Sequence, residues 1–273
     1  MPEGPEIHRS ADKLARALEG RTAEEVFFGL EPLKRHEVDL RGRDVLGVRA
    51  RGKAILTRFS GGRVIYSHNQ LYGHWWVVKA GNQPKTRRQL RLAIHTEKHW
   101  ALLYSASDIE VWDEQDLHLQ PYLARLGPDL LGAELGVEEA VERARSKTFR
   151  RRQLAGLLLD QGFFAGMGNY LRSEVLFDAG IHPRKRPADL SEEELARLAE
   201  SLLRLPRRSY ETHGLTNDPE RVARLKEQGV SRRHYRFAVY GRKGKPCYGC
   251  GTIIERQELA SRGLFFCPSC QPR

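Results

Sequence analysis

All four cysteines of this 273-residue chain lie close to its C-terminus, in two pairs of the form C-x2-C. The pairs are Cys247 with Cys250 and Cys267 with Cys270, and residues 251–266 separate them. Each short loop brings two thiolates to one metal ion, and four thiolates leave no open coordination position, so this spacing is typical of structural zinc. Two disulfides are the alternative, which a chain without an export signal disfavours. We therefore expect one structural Zn²⁺.

A possible nucleophile lies at the start of the chain, which reads MPEGPE. Pro2 is small enough for Met1 to be removed, which would leave a secondary amine beside Glu3 and Glu6. An α-amine titrates near about 7.7–8.0, so a sizeable fraction is neutral and nucleophilic at pH 7. Its attack on a sugar C1′ would give an iminium, an electron sink comparable to a lysine Schiff base. On these residues alone, Pro2 and Glu3 could equally just begin a helix.

Two segments in the N-terminal half are suited to contacts with a polyanion. Lys53 follows a glycine between two predicted strands, where it could hold a phosphate or be an ordinary turn lysine. The segment 67–73 reads SHNQLYG. Such a loop could wedge into a base stack, or its Leu71 and Tyr72 could belong to the core.

Two further segments lie in the C-terminal half. The glycine-rich stretch 162–169 ends at Asn169, which could cap the next helix or donate to an anion. Packing between two helices would also use these glycines. Between the cysteine pairs, residues 252–259 and 264–266 predict a β-hairpin with Arg262 near its turn, from which an arginine can reach a phosphate.

The charge of the chain favours a polyanionic partner. Lys and Arg number 46 against 35 Asp and Glu, a net charge of +11, and 12 basic against 3 acidic residues place +9 in residues 221–273. A nucleic acid fits this distribution, and a solvated arginine-rich surface is the alternative. A hydrophobic content of 40% excludes a largely disordered chain. Mean hydropathy of −0.57 with no long apolar run predicts a soluble cytoplasmic protein.

The periodicity of the sequence divides the elements that must position these residues into two groups. Residues 3–20 predict a helix, and short runs bounded by turn residues then predict a mostly antiparallel sandwich or barrel. Gly61 and Gly62 mark a hairpin. The predicted strands are 26–30, 44–50, 54–59, 63–66, 75–79, 90–96 and 100–104.

After residue 128 the pattern becomes helical. Ser191 and Glu194 form a capping-box signature. We place a domain boundary near 125–135 and the start of a small terminal module near 239. The predicted helices are 137–144, 152–161, 169–177, 191–205 and 219–227.

Taken together, these motifs resemble the endonuclease VIII branch of the formamidopyrimidine-DNA glycosylase superfamily, and the likeness runs from end to end. No single motif is decisive, but their joint order is very specific. The motifs that carry the resemblance are MPEGPE at 1–6, RGK at 51–53, SHNQLYG at 67–73, YSASD at 104–108, RLGPD at 125–129, QGFFAGMGNY at 161–170 and the four-cysteine finger.

The resemblance implies an α+β fold in three parts. Residues 1–125 would form an N-terminal antiparallel β-sandwich catalytic domain with a flanking helix. Residues 126–238 would form a helical DNA-binding domain with a helix–two-turns–helix motif. Residues 239–273 would form the four-cysteine zinc finger, built on a zinc-ribbon β-hairpin.

The resemblance also implies an activity and a set of site residues. The family removes oxidised bases from damaged double-stranded DNA and then cuts the strand. By motif match, the Schiff-base nucleophile would be Pro2, and the acid that assists base release and opening of the sugar ring would be Glu3. Glu6 would support proton transfer, and Lys53 would bind phosphate and donate a proton in β-elimination. Arg262 would serve δ-elimination.

Five further residues match DNA contacts of the family. Arg125 and Asn169 would bind the DNA backbone, while Gln70, Leu71 and Tyr72 would fill the hole left by the flipped nucleotide.

Two marks favour the branch that acts on oxidised pyrimidines: Gly4 in the first motif and the NQLY of residues 69–72. A glycosylase of oxidised purines and a non-catalytic zinc-ribbon DNA-binding protein are the competing interpretations. No membrane is expected as a partner, and nothing in the sequence indicates an oligomer, so we expect a monomer.

Overall fold

The computed structural model describes residues 2–132 and 135–273. By their internal contacts these residues form two compact units, Met1–Arg125 and Leu126–Arg273. Within the part of the chain that is described, no helix combines the length and the apolar character needed to cross a membrane.

The N-terminal unit is a two-sheet sandwich with one long helix. Helix α1 spans Gly4–Leu18, close to the predicted 3–20, and the short helix α2 spans Glu37–Leu40. One antiparallel sheet has the strand order β1-β6-β7-β5 and the other β2-β3-β4-β8. The strands are β1 (Glu25–Phe28), β2 (Val45–Arg51), β3 (Ala54–Phe59), β4 (Arg63–His68), β5 (His74–Lys79), β6 (Leu90–His95), β7 (His99–Tyr104) and β8 (Asp108–Asp113).

The main core of this unit lies among α1 and the inner faces of the two sheets. Ile7 and Leu14 of α1 are buried, together with Ile55 of β3 and Leu103 of β7. Strand residues alternate between core and surface because successive side chains point to opposite faces. The predicted hairpin at Gly61-Gly62 is confirmed, since β3 and β4 pair antiparallel from Ala54–His68 to Phe59–Arg63.

Strand β8 was missed in the sequence. Its residues read DIEVWD, so the apolar alternation spans only Ile109 and Val111 on the inward side. The acidic residues between and around them weaken the strand signal. Pairing with β4 from His68–Asp108 to Arg63–Asp113 overrides that local preference.

The C-terminal unit is helical with a terminal hairpin, and this mixed α+β architecture confirms the predicted fold class. Short 3-10 helices lie at Glu31–His36, Glu114–Leu119, Leu123–Arg125 and Pro187–Asp189 across the two units. The helices of this unit are α3 (Val137–Arg145), α4 (Leu154–Leu157), α5 (Asn169–Asp178), α6 (Glu192–Glu211), α7 (Pro219–Glu227) and α8 (Arg232–Tyr235).

The predicted helix over 152–161 is wrong in length, because only Leu154–Leu157 is helical. The backbone N–H of Leu154 donates to the Lys185 carbonyl at 2.9 Å, outside any helix. At the other end, Asp160 accepts from the Gly162 N–H at 2.8 Å and from the Arg152 guanidinium at 2.6 Å. These contacts divert the backbone into turns at both ends of the apolar run.

The helix predicted to end at 205 continues through Pro206 to Glu211. Proline lacks an N–H and normally disfavours a helix interior. Contacts on the far side hold the extra turn, since Ser209 bonds the Tyr170 hydroxyl at 2.9 Å and Arg208 donates to the Thr216 carbonyl at 3.2 Å. At its start, Ser191 and Glu194 form the predicted capping box.

The terminal hairpin consists of β9 (Glu255–Leu259) and β10 (Arg262–Phe266). Ala260 and Ser261 form its two-residue turn with φ of 54° and 56°. Positive φ at both central residues is the type I′ geometry that matches the twist of a hairpin. The predicted hairpin is confirmed with other bounds: its first strand begins at Glu255 instead of 252, and its second begins at Arg262 instead of 264. Arg262 lies next to the turn, as predicted, and it is exposed.

A buried carboxylate fixes the segment that leads into this hairpin. Glu174 of α5 is 1% exposed and accepts from the backbone N–H groups of Ala238, Val239 and Tyr240, each at 2.8 Å. The Thr216 hydroxyl donates a fourth bond at 2.6 Å. Burial raises the pKa of Glu174, and these donors oppose that shift.

Replacing Glu174 by glutamine tests this arrangement. An amide offers one oxygen and a donor NH2 group, so at least one buried backbone N–H of residues 238–240 loses its acceptor. We expect E174Q to lower the free energy of unfolding by ~2 kcal/mol. Thermal and denaturant unfolding measure it.

The matched control is Glu200→Gln, the same chemical change at an exposed position of α6. It should leave the midpoint of unfolding unchanged. Equal midpoints for the two variants would contradict the role given to Glu174.

Candidate active site and metal centre

The first turn of α1 holds the two acidic residues of the N-terminal motif. Glu3 is the N-cap residue with extended backbone, and Pro5 lies in the first turn, where its missing N–H has no helical partner to lose. The Glu3 N–H donates to Glu6 Oε2 at 3.1 Å, as in a capping box. Glu6 also accepts from Arg9 Nη2 at 3.3 Å. Glu3 itself is 3% exposed, so its carboxylate lies in a protected environment.

A cavity of about 390 Å³ opens beside this turn. Pro2 and Glu6 line it together with Asn69, Leu71 and Tyr72. The N-terminal motif and the SHNQLYG segment therefore meet at one space. Three cationic side chains on its wall make it suited to an anionic ligand: Arg9, Lys13 and Arg88.

Lys53 occupies a tight turn between β2 and β3. Gly52 has φ of 60°, and only two residues separate the paired Arg51 and Ala54, so the glycine is needed at the first central position. The Lys53 N–H donates to the Tyr122 hydroxyl at 2.9 Å, and Lys53 is 8% exposed. This fixes the backbone from which the lysine side chain extends.

His68 connects Lys53 with the next loop. Its ring meets that of Tyr122 edge-on with centroids 5.2 Å apart, and its Nδ1 accepts from the Gln70 N–H at 3.0 Å. Burial, together with the Lys53 charge, lowers the pKa of His68 to about 4. The ring is therefore neutral at physiological pH and acts as an acceptor.

The residues expected to fill a gap in DNA lie on a projecting turn, residues 69–73, which we call the wedge turn. Leu71 is 55% and Tyr72 69% exposed, so neither belongs to the core. Gln70 has φ of 51°, and its side-chain oxygen accepts from Ser107 Oγ at 3.0 Å. The turn thus presents an apolar and an aromatic side chain to solvent.

In the C-terminal unit, Asn169 and the hairpin turn are joined. Asn169 begins α5 but does not cap it, because the N-cap residue is Gly168. Its Nδ2 donates to the Gly263 carbonyl at 2.9 Å, and its Oδ1 accepts from Arg172 Nη2 at 2.6 Å. The fully buried Arg172 donates also to the carbonyls of Leu259 and Arg262, at 3.1 and 3.3 Å. The backbone beside Arg262 is therefore held by α5.

The four cysteines converge as the spacing predicted. Their sulfur atoms all lie within 4.8 Å of one another, and the pairs Cys247–Cys270 and Cys250–Cys267 are 3.9 and 3.5 Å apart. Sulfurs around a tetrahedral zinc ion are separated by about 3.8 Å, given Zn–S bonds near 2.3 Å. All four thiols are free, which excludes the disulfide alternative. The residues fit one structural Zn²⁺.

Some site residues have no place in these clusters, and others were not foreseen. Arg125 ends a short 3-10 helix with its side chain exposed. Sequence reasoning gave no role to Arg88, Ser107 or Arg172. Ser107 lies inside a recognised motif, YSASD, but nothing in the local pattern marks the contacts of the two arginines.

The family comparisons agree with this geometry. Residues 1–107 match the formamidopyrimidine-DNA glycosylase N-terminal domain and residues 126–219 its H2TH domain. Residues 244–273 match a zinc finger found in FPG and IleRS. These three matches define the class as the formamidopyrimidine-DNA glycosylases.

Full-length relatives narrow the assignment. Endonuclease 8 of Pectobacterium carotovorum subsp. carotovorum is 47% identical over 271 residues, which cover 99% of this chain and 100% of that protein. Endonuclease 8 of Shigella sonnei is 46% identical with the same coverage. The chain belongs to the endonuclease 8 family.

Solved structures support the fold. A Lactococcus lactis formamidopyrimidine-DNA glycosylase bound non-covalently to DNA with an AP site superposes with a TM-score of 0.81 at 21% identity. The match covers 99% of this chain and 100% of that one. The same glycosylase in complex with DNA containing an oxidised pyrimidine gives 0.80 at 22% identity, with full coverage of both chains.

The electrostatic link between Lys53 and His68 generates a pH prediction. The pKa of His68 lies near 4 in the folded protein against an ordinary value of 6.5, so the unfolded chain binds a proton first. The free energy of unfolding therefore falls, through this histidine, as pH falls from about 6.5 to about 4. Above that window the histidine has no such effect. Lys53→Met should raise the pKa of His68 without restoring 6.5, because burial remains.

Proton NMR titration of the histidine rings measures the shift, with His68→Gln to assign the resonance. Lys79→Met removes an exposed lysine at the end of β5 and should leave the His68 titration in place. An unchanged pKa in K53M would show that the lysine charge does not reach the ring.

Proposed function

We propose that this protein is a bifunctional DNA glycosylase and AP lyase of base excision repair, which excises oxidised pyrimidines from damaged double-stranded DNA. The observation that carries the proposal is the cavity shared by Pro2, Glu6 and the wedge turn. A nucleophile and a gap-filling turn on one space suit an enzyme that must rotate a nucleotide out of the duplex before it reacts. Membership of the endonuclease 8 family supports the same activity.

The chemistry begins once Met1 is removed, because an amide nitrogen has no free lone pair. The Pro2 amine attacks C1′ of the damaged nucleotide, a C1′–N bond forms and the C1′–base bond breaks, and the base leaves with a proton. The nitrogen loses its own proton, the C1′–O4′ bond then breaks as O4′ takes up a proton, and the nitrogen lone pair forms the C1′ iminium. The resulting iminium acidifies the C2′ proton. Loss of that proton expels the 3′ phosphate by β-elimination, and a second elimination, of the δ type, expels the 5′ phosphate. None of these bond changes needs a metal ion, unlike a two-metal nuclease reaction.

Three side chains would serve proton transfer in these steps. Glu3 is the acid that assists base release and opening of the sugar ring, and it lies buried at the start of the helix that also carries Glu6. Glu6 supports proton transfer in the same turn. Lys53 binds a phosphate and donates the proton of β-elimination from a backbone fixed by Tyr122.

The remaining contacts would come from both units. Arg262 binds a phosphate and serves δ-elimination, and Asn169 lies next to it through the Gly263 carbonyl. Arg125 contacts the DNA backbone. Gln70, Leu71 and Tyr72 fill the hole left by the flipped nucleotide, which offsets part of the few kcal/mol that flipping costs.

The domain roles follow from these assignments. Residues 1–125 are the catalytic domain, 126–238 the helical DNA-binding domain and 239–273 the zinc finger that carries Arg262. We further propose that the protein acts as a monomer. Because chromosomal DNA would be the substrate, we place it in the bacterial cytoplasm with access to the nucleoid.

Borohydride trapping tests the nucleophile. Protein whose first residue is shown by mass spectrometry to be Pro2 is incubated with duplex DNA that carries one AP site, and the iminium is reduced. We expect a covalent adduct whose cross-linked peptide begins at Pro2.

The matched control carries one additional glycine before Pro2, which converts the Pro2 amine into an amide and should give no adduct on Pro2. Any adduct through the α-amine of the added glycine is identified by a cross-linked peptide that begins at that glycine. Pro2→Gly keeps a primary α-amine, so the yield of adduct should fall only in part. No adduct from the correctly processed protein would leave only a zinc-containing DNA-binding protein.

Lesion choice is tested by single-turnover release from two duplexes, one with thymine glycol and one with 8-oxoguanine opposite cytosine. We expect the oxidised pyrimidine to be released faster, by about tenfold or more, a difference that requires about 1.4 kcal/mol of differential transition-state binding. Faster release of the purine would assign the protein to the purine-directed activity.

A further inference from the structure

The wedge turn projects into solvent in a conformation that its own residues support poorly. Gln70 adopts a left-handed backbone, which side chains other than glycine disfavour. Leu71 and Tyr72 are mostly exposed and so gain little packing. The internal bonds are from Gly73 N–H to the Asn69 carbonyl at 2.7 Å and from Gln70 N–H to His68 at 3.0 Å.

Two side chains from other loops anchor the turn on either side of Leu71. Arg88 Nη1 donates to the Tyr72 carbonyl at 2.7 Å, a charge-assisted hydrogen bond. Ser107 Oγ donates to Gln70 Oε1 at 3.0 Å. Leu71 thus lies between two fixed residues, Gln70 and Tyr72, and Tyr72 is held through its own carbonyl.

The anchors come from different sheets. Arg88 lies two residues before β6, in the first sheet, and Ser107 directly precedes β8, in the second. The wedge turn itself connects β4 of the second sheet to β5 of the first. Both β4 and β5 are paired with neighbouring strands, so the two anchors connect the wedge turn to the hydrogen-bonded part of the sandwich.

The base of the turn is a close approach of two backbone segments that only glycine permits at position 73. A Cβ atom on Gly73 would come within 2.4 Å of the Asn69 carbonyl oxygen and 2.7 Å of its Cα. Asn69 is 4% exposed, and its Oδ1 has no hydrogen-bond partner. The close approach of Asn69 and Gly73 fixes where the turn begins and ends, and the anchors fix what lies between.

We propose that Arg88 and Ser107 are positioning residues that hold the wedge turn ready for insertion into a duplex. The inference rests on the proposed function. Because a held turn loses less conformational freedom on insertion, the anchors speed the gap-filling step. Arg88 also lines the cavity of Pro2, so its charge acts on any DNA substrate, whereas its bond to the wedge turn matters only where the turn is inserted.

This role separates duplex from single-stranded substrates. An AP site in a duplex requires insertion of the turn, whereas the same site in a single strand is already unstacked. We expect Arg88→Ala to slow borohydride trapping on duplex AP-site DNA about fivefold or more. Trapping on the single-stranded oligonucleotide should slow less than on the duplex, because there Arg88 contributes only its positive charge on the cavity wall. Ser107→Ala should act in the same direction.

The control for charge is Arg87→Ala, which removes an equally basic, exposed side chain one residue away. Any effect of R87A should come from weaker attraction to phosphates, so the trapping rates on the duplex and on the single strand should change by the same factor. Arg88→Lys keeps a charged donor and should partly restore the duplex rate. A 2-aminopurine base opposite the AP site reports insertion directly, and its fluorescence change should slow in R88A but not in R87A.

The outcomes separate cleanly. Equal losses of R88A on duplex and single strand, or no loss on the duplex, would overturn the inference. Thermal unfolding of each variant identifies a loss that is due to misfolding, which would move both substrates together. Failure of the unmodified protein to form an adduct with either substrate would instead refute the proposed lyase activity.

Discussion

Four hydrogen bonds converge on the carboxyl group of Glu174, and three of them fix the segment 238–240 that leads into the terminal hairpin. Two residues earlier in α5, the fully buried Arg172 collects carbonyl oxygens, among them those of Leu259 and Arg262. One helix therefore satisfies backbone N–H groups with a buried carboxyl group and backbone C=O groups with a buried guanidinium group. Breaking the bonds of a buried charged group is strongly unfavourable, so both residues hold the backbone groups that they contact. Helix α5 thereby positions the terminal hairpin of β9 and β10.

The N-terminal unit solves a similar problem at the wedge turn. Loops exposed to solvent have few apolar contacts to define their shape. Here the shape is set by polar side chains that reach the turn from two sheets, while the Gly52 turn and Tyr122 do the same for Lys53. In both units the residues proposed to meet DNA are held mainly through hydrogen bonds to main-chain atoms.

The predictability of each element follows from where its information lies. Cysteine spacing, the capping box at Ser191 and the hairpin glycines act over a few residues, and each was confirmed. The apolar run at 152–161 looked helical because periodicity cannot report that Lys185 and Asp160 draw the backbone into turns. The acidic strand β8 was missed because its partner β4 lies far away in the sequence, and α6 passes Pro206 because distant groups hold its last turn. The contacts of Arg88 and Glu174 are likewise long-range and leave no local signal.

The exposed pair Leu71 and Tyr72 limits how far the surface of this protein could be engineered for solubility and stability. Replacing surface leucine and tyrosine by charged residues is an ordinary route to higher solubility, and these two positions would be obvious targets. In the gap-filling role proposed for them, however, the two side chains must be apolar and must still lie in water between encounters with DNA. Variants selected only for stability and solubility would therefore replace this pair early. Such variants would fold well but would bind the DNA duplex less effectively.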